Sequence, residues 1–293
     1  MNLALTVLNI TAPVFLLAAV GFVWVKLGFE YRVAFVTRMA MTLAVPCLIF
    51  VALMNIEAEP QAIATLSLAS FVAYGLVMAV CFILVKMVRL DTRTYLAPLI
   101  FGNTGNLGLP LALFAFGETG LGYAVVVFAV MAILSFTIGI WMVAGAGSFK
   151  RVVQEPLVGA TLLGALFLWQ GWKTPIFLTN TLELIGQMAI PMMLITLGVA
   201  VARLETKAMT QAALLSVVKL VICGGAGWAA AVWFGLDPIA AGVLIVQLAT
   251  PVAVTSYLLA EKYGADAQPV AGLVVASTVL SVLALPLILA FVI

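Results

Sequence analysis

The sequence predicts an all-α polytopic membrane protein: ten transmembrane helices arranged as two inverted five-helix repeats, with the fourth and ninth helices broken mid-membrane. Three observations predict it. Of the 293 residues 66% are hydrophobic and only 8% charged, against about 45–50% apolar and about 25% charged in soluble domains. Lys and Arg gather on alternate connections between the apolar runs. Short motifs recur at offsets of 143–146 residues.

Charges and turn residues divide the chain into apolar runs near 5–25, 35–54, 61–85, 95–117, 121–146, 156–171, 177–202, 209–234, 238–260 and 269–292. Most reach the ~20 residues that a helix needs to cross the hydrocarbon layer. The sixth is shorter. Met1 to Val25 has no basic segment ahead of its apolar stretch, the nearest cation being Lys26. It reads as a first span that stays in the protein rather than as a signal peptide.

Eleven of the 13 Lys and Arg residues fall on odd-numbered connections: Lys26, Arg32 and Arg38; Lys86, Arg89 and Arg93; Lys150 and Arg151; Arg203 and Lys207; Lys262. The even connections hold Glu57, Glu59, Glu118 and Asp237, with Lys173 as their single cation. The positive-inside rule places the odd connections in the cytoplasm and both termini outside. The expected location is therefore a cell inner membrane, crossed many times.

The repeat accounts for the odd number of spans in each half. Ala44-Val45-Pro46 matches Ala189-Ile190-Pro191, Leu134-Ser135 matches Leu280-Ser281, and Pro13 matches Pro156. The first repeat would run over 1–146 and the second over 156–293. With five spans each, the second copy enters from the opposite side, an arrangement found in secondary transporters.

The most unusual segment is Phe101-Gly102-Asn103-Thr104-Gly105-Asn106-Leu107-Gly108-Leu109-Pro110, in the middle of span 4. Three glycines, two asparagines and a proline there oppose a regular helix. Broken backbone at membrane depth is tolerated only where it is buried or lines a wet cavity. The helix ends so created favour an anion at their N-termini. Span 9 carries the partner segment, Gln247-Leu248-Ala249-Thr250-Pro251-Val252-Ala253-Val254-Thr255-Ser256. Prolines in corresponding spans, Pro110 and Pro251, point to a midplane site. The candidate substrate-binding residues are Asn103, Thr104, Gly105, Asn106, Pro110, Thr250, Pro251, Thr255 and Lys219. Lys219 is the one charge well inside a span; it either faces the cavity and attracts a carboxylate, or snorkels to the cytoplasmic face. Gln247, Ser135, Thr137, Ser277, Thr278 and Ser281 are candidates for an ion or for helix–helix hydrogen bonds.

Other function classes find no support. There is no histidine, and Cys47, Cys81 and Cys223 lie in apolar runs without metal-type spacing, so no metal site is expected. No basic stretch suits nucleic acid. There is no phosphate loop and no nucleophile–base pair, so neither ATP-driven transport nor enzymatic activity is expected. No Asp or Glu lies deep in a span, which leaves a carboxylate proton relay without residues.

At Asn103-Thr104-Gly105-Asn106-Leu107-Gly108-Leu109-Pro110 the chain resembles the auxin efflux carrier family, which includes bacterial malonate-type carriers and is related to the plant PIN proteins. Pro251-Val252-Ala253-Val254-Thr255, with Ala260 and Tyr263-Gly264 downstream, is the second match. The resemblance covers the whole chain. It implies that spans 4 and 9 cross at Pro110 and Pro251. It also implies a scaffold domain of spans 1, 2, 6 and 7 and a transport domain of spans 3–5 and 8–10 that moves like an elevator. The implied cargo is a small carboxylate, malonate first, contacted by Asn103, Asn106 and the crossover backbone. Two departures stand out. Span 3 lacks the acidic residue of the plant proteins, and Gln247 stands where the related bile-acid sodium symporters use a glutamate.

Two other readings are a sodium-coupled symporter of a larger amphipathic anion and a membrane sensor or channel. No cofactor is expected; the coupling ion, proton or sodium, is left open. The lipid bilayer is the surrounding partner, and a homodimer is an open arrangement.

Overall fold

The computed structural model describes residues 3–55, 60–144, 156–203 and 209–293. Among them the regular elements are helices: α1 (Leu3–Lys26), α2 (Val33–Asn55), α3 (Pro60–Met87), α4 (Thr92–Ile100), α5 (Thr104–Val143), α6 (Pro156–Gln170), α7 (Ile176–Arg203), α8 (Met209–Trp233), α9 (Pro238–Leu248), α10 (Val254–Tyr263) and α11 (Ala267–Val292). Seven of them, α1, α2, α3, α5, α7, α8 and α11, are long and apolar enough to cross a membrane, while α6 and α9 are shorter apolar helices. Of the charges used for orientation, Glu57, Glu59, Lys150, Arg151 and Lys207 lie outside the described residues, as does the expected end of the first repeat at 146.

Hydrophobicity runs around these helices rather than along one stripe. Leu16, Ile83, Leu214, Val221, Leu283 and Phe291 all point outward. Such faces are what a bilayer solvates, whereas in water they would be adhesive.

Two groups of helices pack within themselves. α1 lies along α7, and α2 packs on α6 and α7. Gly21 abuts the Ile195 main chain and Gly198 that of Ala18, where a Cβ would overlap backbone; small residues let the pair approach this closely. In the other group α8 packs on α3, α9 and α11, α9 packs on α5, and α10 packs on α11.

The sequence explains how several helices begin and turn. Asp91 accepts from the Thr94 amide at 2.9 Å and caps α4. Asp237 accepts from Ile239 and Ala240, each at 3.0 Å, and caps α9. Both satisfy amides that a helix start leaves unbonded. Gly117, at φ 66°, turns α5 sharply, a conformation that strains any residue with a Cβ. Arg93 donates to the Val143 carbonyl at 3.0 Å and to the Tyr263 carbonyl at 3.0 Å, tying the ends of α5 and α10 together. Lys173 donates to Met54 O at 2.6 Å and Asn55 Oδ1 at 3.0 Å, fastening the segment after α6 to the end of α2.

One expectation is corrected. The chain does not cross at Pro110. Its helix stops at Ile100 and resumes at Thr104, and Pro110 sits in the regular helix beyond a π-turn spanning Thr104–Gly108. The wider turn brings the Leu109 amide onto the Thr104 carbonyl, so the proline is admitted at the start of a helical segment, where a missing donor costs little.

Candidate functional site

Two helices stop inside the protein and restart. α4 gives way to α5 across Phe101, Gly102 and Asn103, and α9 gives way to α10 across Ala249 to Ala253. The two extended stretches cross antiparallel. Gly102 pairs with Val252, and the Asn103 amide donates to the Pro251 carbonyl at 2.7 Å. Backbone released from a helix here has no water to bond, and each stretch supplies partners for the other. Gly102 permits the approach, because a Cβ there would strike the Thr250 hydroxyl. Gly108 likewise leaves room for the Gln247 amide.

Side chains bond the rest of the crossing. The Val252 amide donates to Ser277 Oγ at 2.9 Å. Thr250 Oγ1 donates to the Gln247 carbonyl at 2.7 Å, and Gln247 Nε2 to the Ala124 carbonyl at 3.3 Å. Lys219 Nζ donates to the Thr250 carbonyl at 2.9 Å. Lys219 is 2% exposed, which decides between the two orientations open to it: it turns into the crossing and does not snorkel. The Leu99 carbonyl, in the last turn of α4, faces the thiols of Cys223 and Cys81 at 3.6 and 3.9 Å.

Among the described residues four buried side-chain polar atoms have no partner: Asn103 Nδ2, Thr104 Oγ1, Gln247 Oε1 and Tyr74 Oη. Three belong to candidate residues of the two broken segments, and Tyr74 stacks with Phe101 beside them, ring centroids 6.3 Å apart. Buried donors and acceptors are nearly always bonded in folded proteins. Their concentration at one place makes it the candidate site.

A cavity of ≈ 40 Å³ lies next to the crossing, lined by Asn106, Val254 and Thr255 from the first turns of α5 and α10 and by Thr37, Met193 and Thr196 from α2 and α7. First turns carry unbonded amides and the positive end of the helix dipole. Farther along, where α2 and α7 face α5, is a wide cavity of ≈ 760 Å³. Leu48, Leu113, Ile190 and Pro191 line it, and so do Asn55, Glu118 and Glu183.

The candidate residues thus fall into three sets. Asn103, Thr104, Gly105, Thr250, Pro251, Gln247, Ser277 and Lys219 meet at the crossing, and Gly105 packs against the Phe128 ring. Asn106 and Thr255 reach the small cavity. The remaining hydroxyls bond within their own helices: Thr137 to Ile133 O at 2.6 Å, Thr278 to Val274 O at 2.7 Å and Ser281 to Thr278 O at 2.6 Å. Ser135 is half-buried in a π-turn of its helix, and Pro110 is apart from the crossing. Thr37 and Thr196, the facing wall, escaped the sequence reading; a lone threonine among apolar residues was their only signal.

The family model of membrane transport proteins matches residues 6–152 and 146–289. An uncharacterized transporter of Methanocaldococcus jannaschii is 25% identical over 202 residues, 64% of each chain. A Rhizobium meliloti protein whose name provisionally assigns malonate transport is 24% identical over 258 residues, 82% of this chain and 81% of that one. An uncharacterized transporter of Methanothermobacter thermautotrophicus is 29% identical over 195 residues, 63% of each. The chain therefore spans just under two thirds of the length of the two archaeal relatives.

Proposed function

The chain belongs to the membrane transport protein family, the auxin efflux carriers that its sequence resembles, and on that premise we propose that it is a secondary transporter of a small organic anion. It is a transporter and not an enzyme. The observation that carries the anion reading is the crossing itself. Two half-helices begin there, at Thr104 and Val254, with the buried Asn103 Nδ2 and Thr104 Oγ1 unpartnered at the first and Asn106 and Thr255 on a cavity. Paired helix N-termini attract negative charge. The cargo is a carboxylate, with a malonate-like dicarboxylate the leading candidate; the name of the Rhizobium meliloti relative supports that choice.

The mechanism is elevator-type alternating access. Ten spans result when α5 is counted as two legs turned at Gly117, and α6, α4 with the first leg of α5, and α9 with α10 as one crossing each. An inverted repeat fits the capping: Asp91 and Asp237 start broken spans 146 positions apart. Gly117 and Gly264, at φ 66° and 68°, follow them 147 positions apart. Lys219, Ser277 and Gln247 bond their spans at the crossing and Arg93 ties the ends of α5 and α10, so that spans 3–5 and 8–10 would move as one transport domain. Spans 1, 2, 6 and 7 form the scaffold, meeting it along the seam where both cavities lie. The wide cavity is the route from the side holding Glu118 and Glu183, which the charge distribution makes the outside of a cell inner membrane.

Uptake of radiolabelled malonate into proteoliposomes tests the function. Saturable uptake that Asn103→Ala and Asn106→Ala abolish is expected. Absence of flux for malonate and a panel of other carboxylates, from protein shown to be folded, overturns the reading.

A further inference from the structure

Among the described residues no carboxylate pairs with Lys219. It is 2% exposed, and its bonds run to the Thr250 carbonyl at 2.9 Å and the Cys223 sulfur at 3.9 Å. Among the described residues the one ion pair is Arg32–Glu30, on the exposed surface. A void of ≈ 10 Å³ beside Lys219 is lined by Ser216, Thr250, Pro251, Ser277 and Ser281, too small for a carboxylate. This void and the cavity that Asn106 lines share no residue, so the ammonium is walled off from that cavity and acts on an anion bound there through its field.

The fixed charges at the crossing can be counted. Two helices begin there, α5 and α10, and two end there, α4 and α9. Helix ends carry about half an elementary charge of either sign, so the four ends add almost no net charge, although the two N-terminal first turns alone face the small cavity and present their unbonded amides to an anion there. What is left is the single positive charge of Lys219. A buried charge that is not compensated is costly, and a monoanion compensates it, whereas a dianion leaves a net negative charge in a dry site.

We propose that Lys219 is the fixed counter-charge of this site, that it selects cargo as a monoanion, and that a dicarboxylate such as malonate is carried with one carboxyl protonated. The inference rests on the anion-carrier function above. It names the charge class of the cargo, and it provides proton coupling without any buried Asp or Glu, because the proton rides on the substrate. Around Lys219 the titratable groups are Cys223 on its own helix and Cys81 and Tyr74 on α3; α9 and α11 present Thr250, Ser277 and Ser281, and α4 presents the Leu99 carbonyl. Lys219 is a positioning residue, since it does not touch the anion.

Malonate and its monoamide, malonamate, separate charge from shape, because malonamate keeps one negative charge at any neutral pH. Their affinities for purified protein are to be measured by thermal shift from pH 5 to 8, in wild type, Lys219→Gln and Lys219→Arg. Malonamate affinity is expected to be flat, and malonate affinity to fall about tenfold per pH unit above its second ionisation, the slope of one linked proton. Lys219→Gln is expected to weaken both ligands on the order of tenfold, and Lys219→Arg to retain them. Malonate affinity that holds or rises with pH while malonamate binds more weakly overturns the monoanion proposal and leaves the carrier function standing. Unchanged affinity in Lys219→Gln overturns the counter-charge. If Lys219→Gln does not fold, the two wild-type pH profiles decide. No shift with either ligand in folded wild type removes the carboxylate reading and this proposal together.

Discussion

The Asn103 amide donates to the Pro251 carbonyl at 2.7 Å, so the two halves of the chain are joined through main chain where each is least regular. Gly102 and Val252 pair beside them, 150 positions apart. A helix that stops in lipid needs new partners for its backbone, and here each broken helix is the other's partner. The crossing is thus a shared solution to two local defects. The same geometry leaves Asn103 Nδ2 and Thr104 Oγ1 without hydrogen-bond partners.

Gly102→Ala should damage this joint. Its Cβ would strike the Thr250 hydroxyl and come within 3.1 Å of the Thr250 carbonyl. A loss of about 1–3 kcal/mol is expected, seen as a lower Tm. Thr250→Ala in the same chain should recover part of it, because the two changes share a contact and do not add. Full additivity of the two losses would sink the account.

Asn106→Asp should weaken carboxylate binding by about tenfold or more with little change in Tm. Asn106 is half-buried on the small cavity, and the substitution keeps its shape while adding a negative charge. Titration of malonate against the purified variant checks this. Binding equal to wild type would place the anion elsewhere.

Arg93→Ala should lower stability by about 1.5–3 kcal/mol, the range for hydrogen bonds to charged groups. Its guanidinium serves two carbonyls, Val143 and Tyr263, both at 3.0 Å. Arg93→Lys should recover less than half of the loss, because a single ammonium does not reproduce the planar fork. Thermal unfolding in detergent would show both effects, and a full recovery by Lys would contradict the two-bond role.

Asp91 gives a pH dependence with a defined sign. The Thr94 hydroxyl, at 2.5 Å, and the Thr94 amide hold its carboxyl below the usual carboxylate range. A depressed folded value means stability that is present above about pH 4, the ordinary value, and lost as pH falls through the folded value. Asp91→Ala should cost ~1 kcal/mol as a lost helix cap. Asp91→Asn should flatten the acid limb of a Tm-against-pH curve; an unchanged limb would assign the acid sensitivity to other groups.

Thiol labelling addresses orientation. With Cys47, Cys81 and Cys223 replaced by Ala, Leu113→Cys in the wide cavity should react with a membrane-impermeant maleimide added outside intact cells. Labelling only in inverted vesicles would reverse the orientation.

Much of this was legible in the sequence. The helix breakers at 102–110 and 247–256 mark the segments that cross, because glycine, proline and amide side chains oppose a helix wherever they stand. The location of the break within the first segment was not legible. Pro110 is the stronger breaker by residue type, yet a π-turn absorbs it, and the chain opens at Gly102 because that is where Thr250 comes closest. Lys219 was ambiguous for a similar reason. Its depth in a span is a local property, whereas its partner, the Thr250 carbonyl, lies 31 positions away on another element.

Composition alone determined the solvent, since so apolar a chain is stable only where lipid takes the place of water, and the run lengths then determined helices. The tertiary structure decided which of the interrupting residues meet. It placed Gly102 on Val252, turned Lys219 inward and set Thr37 and Thr196 opposite Asn106 and Thr255. The physical reason is range: hydropathy and helix propensity act over a few residues, while the register of two broken helices depends on packing across the whole fold.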